Sequence, residues 1–414
     1  MNALQTELWE LASSIAWSQW AELGVDGAPR RHELQAIDLE PLIIFAARLG
    51  LHDRRLRAAS LDWCVPNVRF TSSIRLGRLL DQASDAMRES FGGFAATVHA
   101  HTGVRWPGEG EPLARLTSVR ELTPDLHRPA LLQLRLRAMV GVSARAEVLR
   151  VLLSNPDRAR SASQLAEVAA YSKGSVAQAL EMLTSSGIVQ VRPAANRLVY
   201  KLARPRDLMQ LLQWVPGSVP DWWAVFRIID AFDEYARSKR ADPETGLGAA
   251  QTLLGRIRPD LRRLDIAAQA PHLEGAGSVV AFEAWIMGRL GEHADGTHAN
   301  PRPTEVTYTI HRLPYGGWIG TINERGREPR RLGLIEHAGD RDLGGVELTR
   351  AMFRDALGQV KGAEAPPETV LEAVGREFAE DLLRPMRSGQ DATFSGEFVR
   401  RWLQSRRNHR QASA

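Results

Sequence analysis

The chain has one cysteine in 414 residues, and that scarcity closes several routes at once. Cys64 has nothing to pair with, so no internal disulfide forms, and a metal site could draw only one thiolate. Lying at Trp63-Cys64 after a helical pattern, it reads as a small core residue. Apolar runs are short, and none nears the roughly 18 residues that suggest a membrane span. No basic stretch followed by an apolar core opens the chain, so no signal peptide is expected and the cytoplasm is the expected compartment. Catalytic signatures are missing too. There is no Gly-x-Ser-x-Gly elbow, His-Glu-x-x-His helix, Cys-x-x-Cys pair, kinase loop set or Gly-x-x-x-x-Gly-Lys-Ser/Thr phosphate loop. Carboxylate pairs such as Asp260 with Asp265, or Asp340 with Asp342, sit in charged stretches that read as exposed. The expectation is a protein that is not an enzyme and holds no cofactor or metal. His293-Ala294-Asp295-Gly296-Thr297-His298 offers two imidazoles and a carboxylate, but reads as a polar loop ahead of Pro301 and Pro303.

What is present is an ordinary globular composition, 44% apolar and 25% charged, on a chain too long for one hydrophobic core. Charge is unevenly spread. Residues 128–206 carry 13 Lys/Arg against 4 Asp/Glu, a net of +9, while the whole chain is only +4. That segment also has the clearest pattern of elements. Ser143 is placed to cap a helix from Ala144 to Leu153 with Val148, Val151 and Leu152 on one face, stopped by Asn155-Pro156. Ser161 or Ser163 can cap a second, Gln164 to Ala170, turning Leu165 and Val168 inward. After a turn at Tyr171, Ser172 caps a third, Lys173 to Ser185.

In that third helix Val176, Leu180 and Leu183 recur at helical spacing and face the core. Lys173, Ser175, Ala177 and Gln178 therefore point elsewhere, near the N-terminal end. Gly174 and Ala177 would let the backbone come close to a surface. Lys173 and the free N–H groups of the first turn suit a phosphate, and Gln178 can make a bidentate contact to adenine. Gly187 reads as the residue just past the helix. Ile188 to Val191 and Arg197 to Tyr200 then form a hairpin around Pro193-Ala194-Ala195-Asn196, with Arg192 and Arg197 flanking its tip.

Ser172-Lys173-Gly174-Ser175-Val176, Ala179-Leu180-Glu181-Met182-Leu183 and Ser186-Gly187-Ile188-Val189 together resemble the SxxTVxxALxxLxxxGLV run of MarR- and ArsR-type winged-helix regulators. The resemblance covers about 60 residues. It implies a winged helix-turn-helix that binds DNA, with Lys173, Ser175 and Gln178 on the groove side and Arg192 and Arg197 on the wing. The metal-sensing ArsR branch is set aside, because these helices hold no cysteine pair.

Around this centre, residues 1–127 read as a helical domain. Leu4, Leu8, Leu11 and Ile15 form a stripe that Trp9, Trp17 and Trp20 broaden, a buried packing helix or else a partner interface. Residues 38–50 and 53–64 look like an αα-hairpin, and residues 72–91 like one further helix. Arg54, Arg55 and Arg57 read as a solvated face, and residues 107–112 as a loop. A helix over 131–140 carries Arg135 and Arg137, candidates for backbone phosphate contacts. Residues 207–300 read as a helical connector whose apolar face, Trp222, Val225, Phe226, Ile229 and Phe232, suits dimerisation. Residues 301–414 read as a small α+β domain with strands near 306–310, 318–322 and 332–335 and helices at 347–357, 367–383 and 395–407.

The fold class expected is mainly α: helical domain (1–127), winged helix-turn-helix (128–206), connector (207–300) and α+β domain (301–414). The function expected is sequence-specific double-stranded DNA binding and transcriptional regulation of a bacterial type, as a homodimer. The DNA-binding residues expected are Ser172, Lys173, Gly174, Ser175, Ala177, Gln178, Arg192, Asn196 and Arg197. The alternative is an interaction adaptor or antitoxin-like protein, with a protein partner on the N-terminal helices. No membrane association is expected.

Overall fold

Helix α1 (Ala3–Glu22) starts on a reciprocal cap, in which Asn2 Oδ1 accepts from the Gln5 N–H at 2.8 Å and Gln5 Oε1 from the Asn2 N–H at 3.2 Å. Its Leu8, Trp9, Ile15 and Trp20 are buried, and Trp20 meets Trp63 edge-on at 5.7 Å. Helix α2 (Leu39–Leu49) is buried on every residue, as its nearly all-apolar sequence requires, and forms the axis around which the other helices pack. A short turn joins it to α3 (Arg54–Asn67), capped by Asp53, completing the αα-hairpin. The single helix expected over 72–91 is two, α4 (Ser73–Leu80) and α5 (Asp85–Thr102). The reason is a second cap: Ser84 accepts from the Met87 N–H as Ser72 does from Arg75, so the chain restarts a helix there. The loop at 107–112 lies against α5 at Gly92, where a Cβ would come within 2.0 Å of the Glu109 carbonyl oxygen.

The structure is a computed structural model. It describes residues 2–32, 35–113, 122–156, 158–194, 196–212, 216, 218–241, 246–294, 306–312, 318–324, 330–335, 343–358, 368–384, 391–395, 399 and 402. Next come α6 (Leu132–Val140), α7 (Ala144–Ser154), the two-residue strand β1 (Arg160–Ser161), α8 (Ala162–Ala169) and α9 (Lys173–Ser185). The hairpin follows as β2 (Val189–Ala194) and β3 (Arg197–Leu202), then α10 (Pro205–Leu212). Helices α11 (Trp222–Ala241) and α13 (Ala276–Ala294) return to pack on α1, and α12 (Gly246–Arg263), which was not anticipated from sequence, packs on both of them. Among the described residues no helix is long and apolar enough to cross a membrane.

The chain forms two compact units, residues 1–205 with 219–299, and residues 206–218 with 300–414. In the first unit the apolar face of α11 lies on α2: Phe226 stacks on Phe45 at 4.2 Å, and Arg48 of α2 pairs with Asp230 and Asp233 of α11, each at 2.8 Å. The face expected to pair subunits is therefore used within one chain. Trp9 and Trp20 are consumed likewise, Trp9 donating its indole N–H to Asp233, so neither offers a partner surface.

The second unit holds an antiparallel sheet of β4 (Val306–Arg312), β5 (Trp318–Glu324), β6 (Arg330–Ile335) and β7 (Asp391–Ser395), in the order β6-β5-β4-β7. Helices α14 (Leu343–Gly358) and α15 (Glu368–Leu383) bury Leu348, Met352, Phe353 and Phe378 with Tyr308, Trp318 and Phe394 of the sheet. Strand β7 was not expected, and it takes Ser395, where a helix was expected to begin; Val399 and Trp402 within that expected helix are helical. Pairing with β4 stacks Phe394 on Tyr308 at 5.2 Å, a burial that outweighs local helical spacing. Most of that expected helix lies outside the described residues, as do Asp340, Asp342 and the 295–298 part of the histidine motif. The protein is mainly helical, with a small C-terminal α+β region.

Candidate nucleic-acid interface

Helix α9 spans Lys173–Ser185 because both its ends are chemically marked. Ser172 takes an extended conformation and its Oγ accepts from the Ser175 N–H at 3.1 Å and meets Ser175 Oγ at 2.8 Å. At the other end Gly187 adopts φ +72°, and the Ile188 N–H reaches the Leu183 carbonyl at 3.0 Å, a Schellman stop. Val176, Ala179, Leu180 and Leu183 are buried, which fixes the helix's rotation about its axis. Lys173, Gly174, Ser175, Ala177 and Gln178 are consequently exposed, with Ser172 half-buried. Nothing but the Ser172 hydroxyl lies within 4 Å of where a Gly174 Cβ would be, so the first turn faces open space.

The hairpin sorts its side chains by register. Val189, Val191 and Pro193 stand opposite Leu202, Tyr200 and Leu198, forming one mostly apolar face. Gln190, Arg192 and Ala194 stand opposite Lys201, Val199 and Arg197, so Arg192, Arg197 and Lys201 share the other. Arg192 and Arg197 are exposed, Lys201 is half-buried, and Arg192 donates to Gln190 Oε1 at 3.3 Å. Asn196 is exposed in the turn. Lys201 was not singled out from sequence, although its alternation with Arg197 places it on the same face. The structure adds β1 as a third strand, Arg160 and Ser161 pairing with Tyr200 and Val199. Of the earlier caps, Ser161 carries a full capping box with Gln164, whereas Ser143 holds the cap position of α7 without a side-chain bond to it.

Within the first unit, buried charge ties this head, the segment from α7 to β3, to α2, α4 and α6. Asp38, Glu40 and Glu147 meet Arg75, Arg137 and Arg150, all largely or wholly buried. Arg137 bridges Glu40 at 2.6 Å and Glu147 at 2.6 Å; Arg150 pairs with Glu147 at 2.8 Å and Asp38 at 3.3 Å; Arg75 grips Asp38 and Glu40. Three positive charges balance three negative ones. Burial by itself would raise the Glu147 carboxyl, but Arg137, Arg75 and Arg150 together outweigh it and hold the group far below the carboxylate range. Asp38 is likewise lowered, burial opposing and Arg150 with Arg75 prevailing. Arg75 also donates to the Ala169 carbonyl at 3.0 Å, and the Tyr171 hydroxyl meets Ser72 Oγ at 2.7 Å, so the α8–α9 turn is tied to α4.

Two expectations are corrected here. Arg137 is locked in ion pairs, and Arg135 donates to the Leu126 and Arg128 carbonyls, its pKa pushed down to about 10 by burial. Neither is presented to a backbone phosphate. The +9 of residues 128–206 is therefore partly spent inside the protein, and the outward charge rests on cations such as Arg158, Lys173, Arg192 and Arg197. Asp260, expected exposed, is buried beside Arg227 at 3.4 Å, and burial raises its carboxyl to about 6. Among the described residues no cluster of three or more His, Cys, Asp or Glu could hold a metal ion. No protein-family model, curated protein or solved structure matches the chain.

Proposed function

We propose that the chain binds double-stranded DNA with sequence preference and regulates transcription, α9 entering the major groove while the hairpin grips the backbone. The observation that carries this reading is the exposed first half of α9. Short side chains at Gly174, Ser175 and Ala177 flank one long hydrogen-bonding group, Gln178, and the buried opposite face sets their direction. A groove about 12 Å wide admits such a helix. The Ser172 hydroxyl satisfies the Ser175 N–H, which leaves the Lys173 and Gly174 N–H groups for a phosphate, reinforced by the Lys173 ammonium. Arg192, Arg197 and Lys201 then supply sequence-independent affinity. Pairing of two copies through α11 has no place in this reading, since that face is already covered.

A second reading, a protein-docking adaptor, draws on Met182, Val191 and Leu198, which are 49%, 39% and 53% exposed around α9 and the hairpin. Sequencing of genomic fragments bound by the chain separates the two, followed by affinity measurements on the recovered site. Gln178→Ala should weaken the preferred site alone by about 1–3 kcal/mol, and Arg197→Ala should weaken all duplexes alike. Equal losses on every duplex for both variants would remove the base-reading role; no enriched fragment would favour the adaptor.

A further inference from the structure

A cleft of about 390 Å³ opens between the back of the α7–α8 pair and the last turn of α12, within the first unit. Its size is that of a small-metabolite site, yet its walls are mostly charged rather than apolar. Part of that charge is internally settled. Arg150 on the floor is bound by Glu147 and Asp38, and Arg263 donates to Asp221 at 2.7 Å. Two lining guanidinium groups differ. Arg158, in the α7–β1 connection, and Arg262, in the last turn of α12, are exposed, and among the described residues no carboxylate pairs with either. They approach one cavity from two walls built by different parts of the chain. Planar forks of this kind suit a phosphate, which accepts two parallel N–H bonds from each.

Two exposed carboxylates, Glu167 of α8 and Asp265 just past α12, line the same cleft. Asp265 is held in the left-handed region at φ +61°, and its N–H and that of Ile266 close the end of α12. These carboxylates oppose a bare polyanion but accept from neutral hydroxyl groups. We propose that this cleft binds a small phosphate ester bearing free hydroxyls, such as a sugar phosphate or nucleoside monophosphate. Arg158 and Arg262 hold the phosphate, and Glu167 and Asp265 take the hydroxyls.

The test is titration calorimetry on the full chain without DNA, so its outcome is independent of the DNA-binding reading. The probes are ribose 5-phosphate and AMP, with inorganic phosphate and ribose as comparisons. Saturable binding of both esters is expected, with inorganic phosphate weaker and ribose silent. Arg158→Ala and Arg262→Ala should each weaken the esters about tenfold or more, as loss of a charge-assisted bond does, with the melting temperature of the unliganded protein unchanged. Glu167→Gln should weaken the esters while sparing inorganic phosphate. No saturable binding of either ester would overturn the assignment, as would undiminished binding in both arginine variants. Equal affinity for inorganic phosphate and the esters would overturn the hydroxyl-binding role.

Discussion

Replacing Glu147 by Gln keeps the shape of a wholly buried side chain and removes its charge. The carboxylate accepts from Arg137 at 2.6 and 3.0 Å, from Arg150 at 2.8 Å and from Gln133 at 3.1 Å. Without it three arginines face two carboxylates, and the new amide N–H group points at donors rather than acceptors. An uncompensated buried charge of this kind costs about 3–5 kcal/mol. In a domain of this size each kcal/mol lowers the melting temperature by about 2–4 °C, so a fall of roughly 6–20 °C is expected by circular dichroism. Glu89→Gln on the exposed side of α5 serves as a control and should stay within about 0.5 kcal/mol. The pH dependence follows from the lowered carboxyl. Its stabilisation is fully present above the unfolded value of 4.5 and is lost only as pH falls below that towards the folded value. The deficit of Glu147→Gln should thus persist from neutral pH to about pH 5 and close only in stronger acid. A deficit under about 1 kcal/mol at neutral pH, or one that closes between about pH 7 and 5, would refute the network's role in seating the head.

Asp260 titrates in the opposite sense. Because burial raises its folded value to about 6 from 3.8, the folded state is penalised increasingly as pH climbs from about 4 to 6. Asp260→Asn should therefore be more stable than the parent at pH above 7, by about 1 kcal/mol after allowance for solvent screening, with the gap shrinking towards pH 5. Denaturant titration at both pH values checks this, and a variant less stable at the higher pH would contradict it. Gly187→Ala should cost about 1 kcal/mol through its left-handed backbone alone, since its Cβ would meet nothing within 4 Å. An unchanged unfolding midpoint would mean that the stop of α9 had relaxed.

The helices of the head were legible in sequence because their signals are local. Ser172 and Gly187 bracket α9, and Val176, Leu180 and Leu183 set its buried face within 13 residues. The role of Arg137 was not legible, since its partners Glu40 and Glu147 lie 97 and 10 positions away and only the packed chain shows that they meet. Asp260 was misread for the same reason: its neighbours in sequence are charged and suggest exposure, while Arg227 of α11 meets it, and buries it, only in the packed chain. Strand β7 was missed because Ser395 and its neighbours gain their strand partners from β4, Ser395 pairing with the distant Thr307. The candidate site itself mixes both cases. Lys173 to Gln178 could be read off one helix, but the shared face of Arg192, Arg197 and Lys201 depends on hairpin register.

If α9 and the basic face of the hairpin meet a duplex, affinity falls with salt according to the number of phosphates they neutralise. Fluorescence anisotropy with a labelled duplex, across rising salt, should give a log–log slope of about −0.9 for each phosphate neutralised. Removing Lys173, Arg192 and Arg197 together by alanine substitution should make that slope shallower by about 2.7 while the fold is kept. A slope unchanged by the triple substitution, or no binding at low salt, would mean that this face does not meet a duplex.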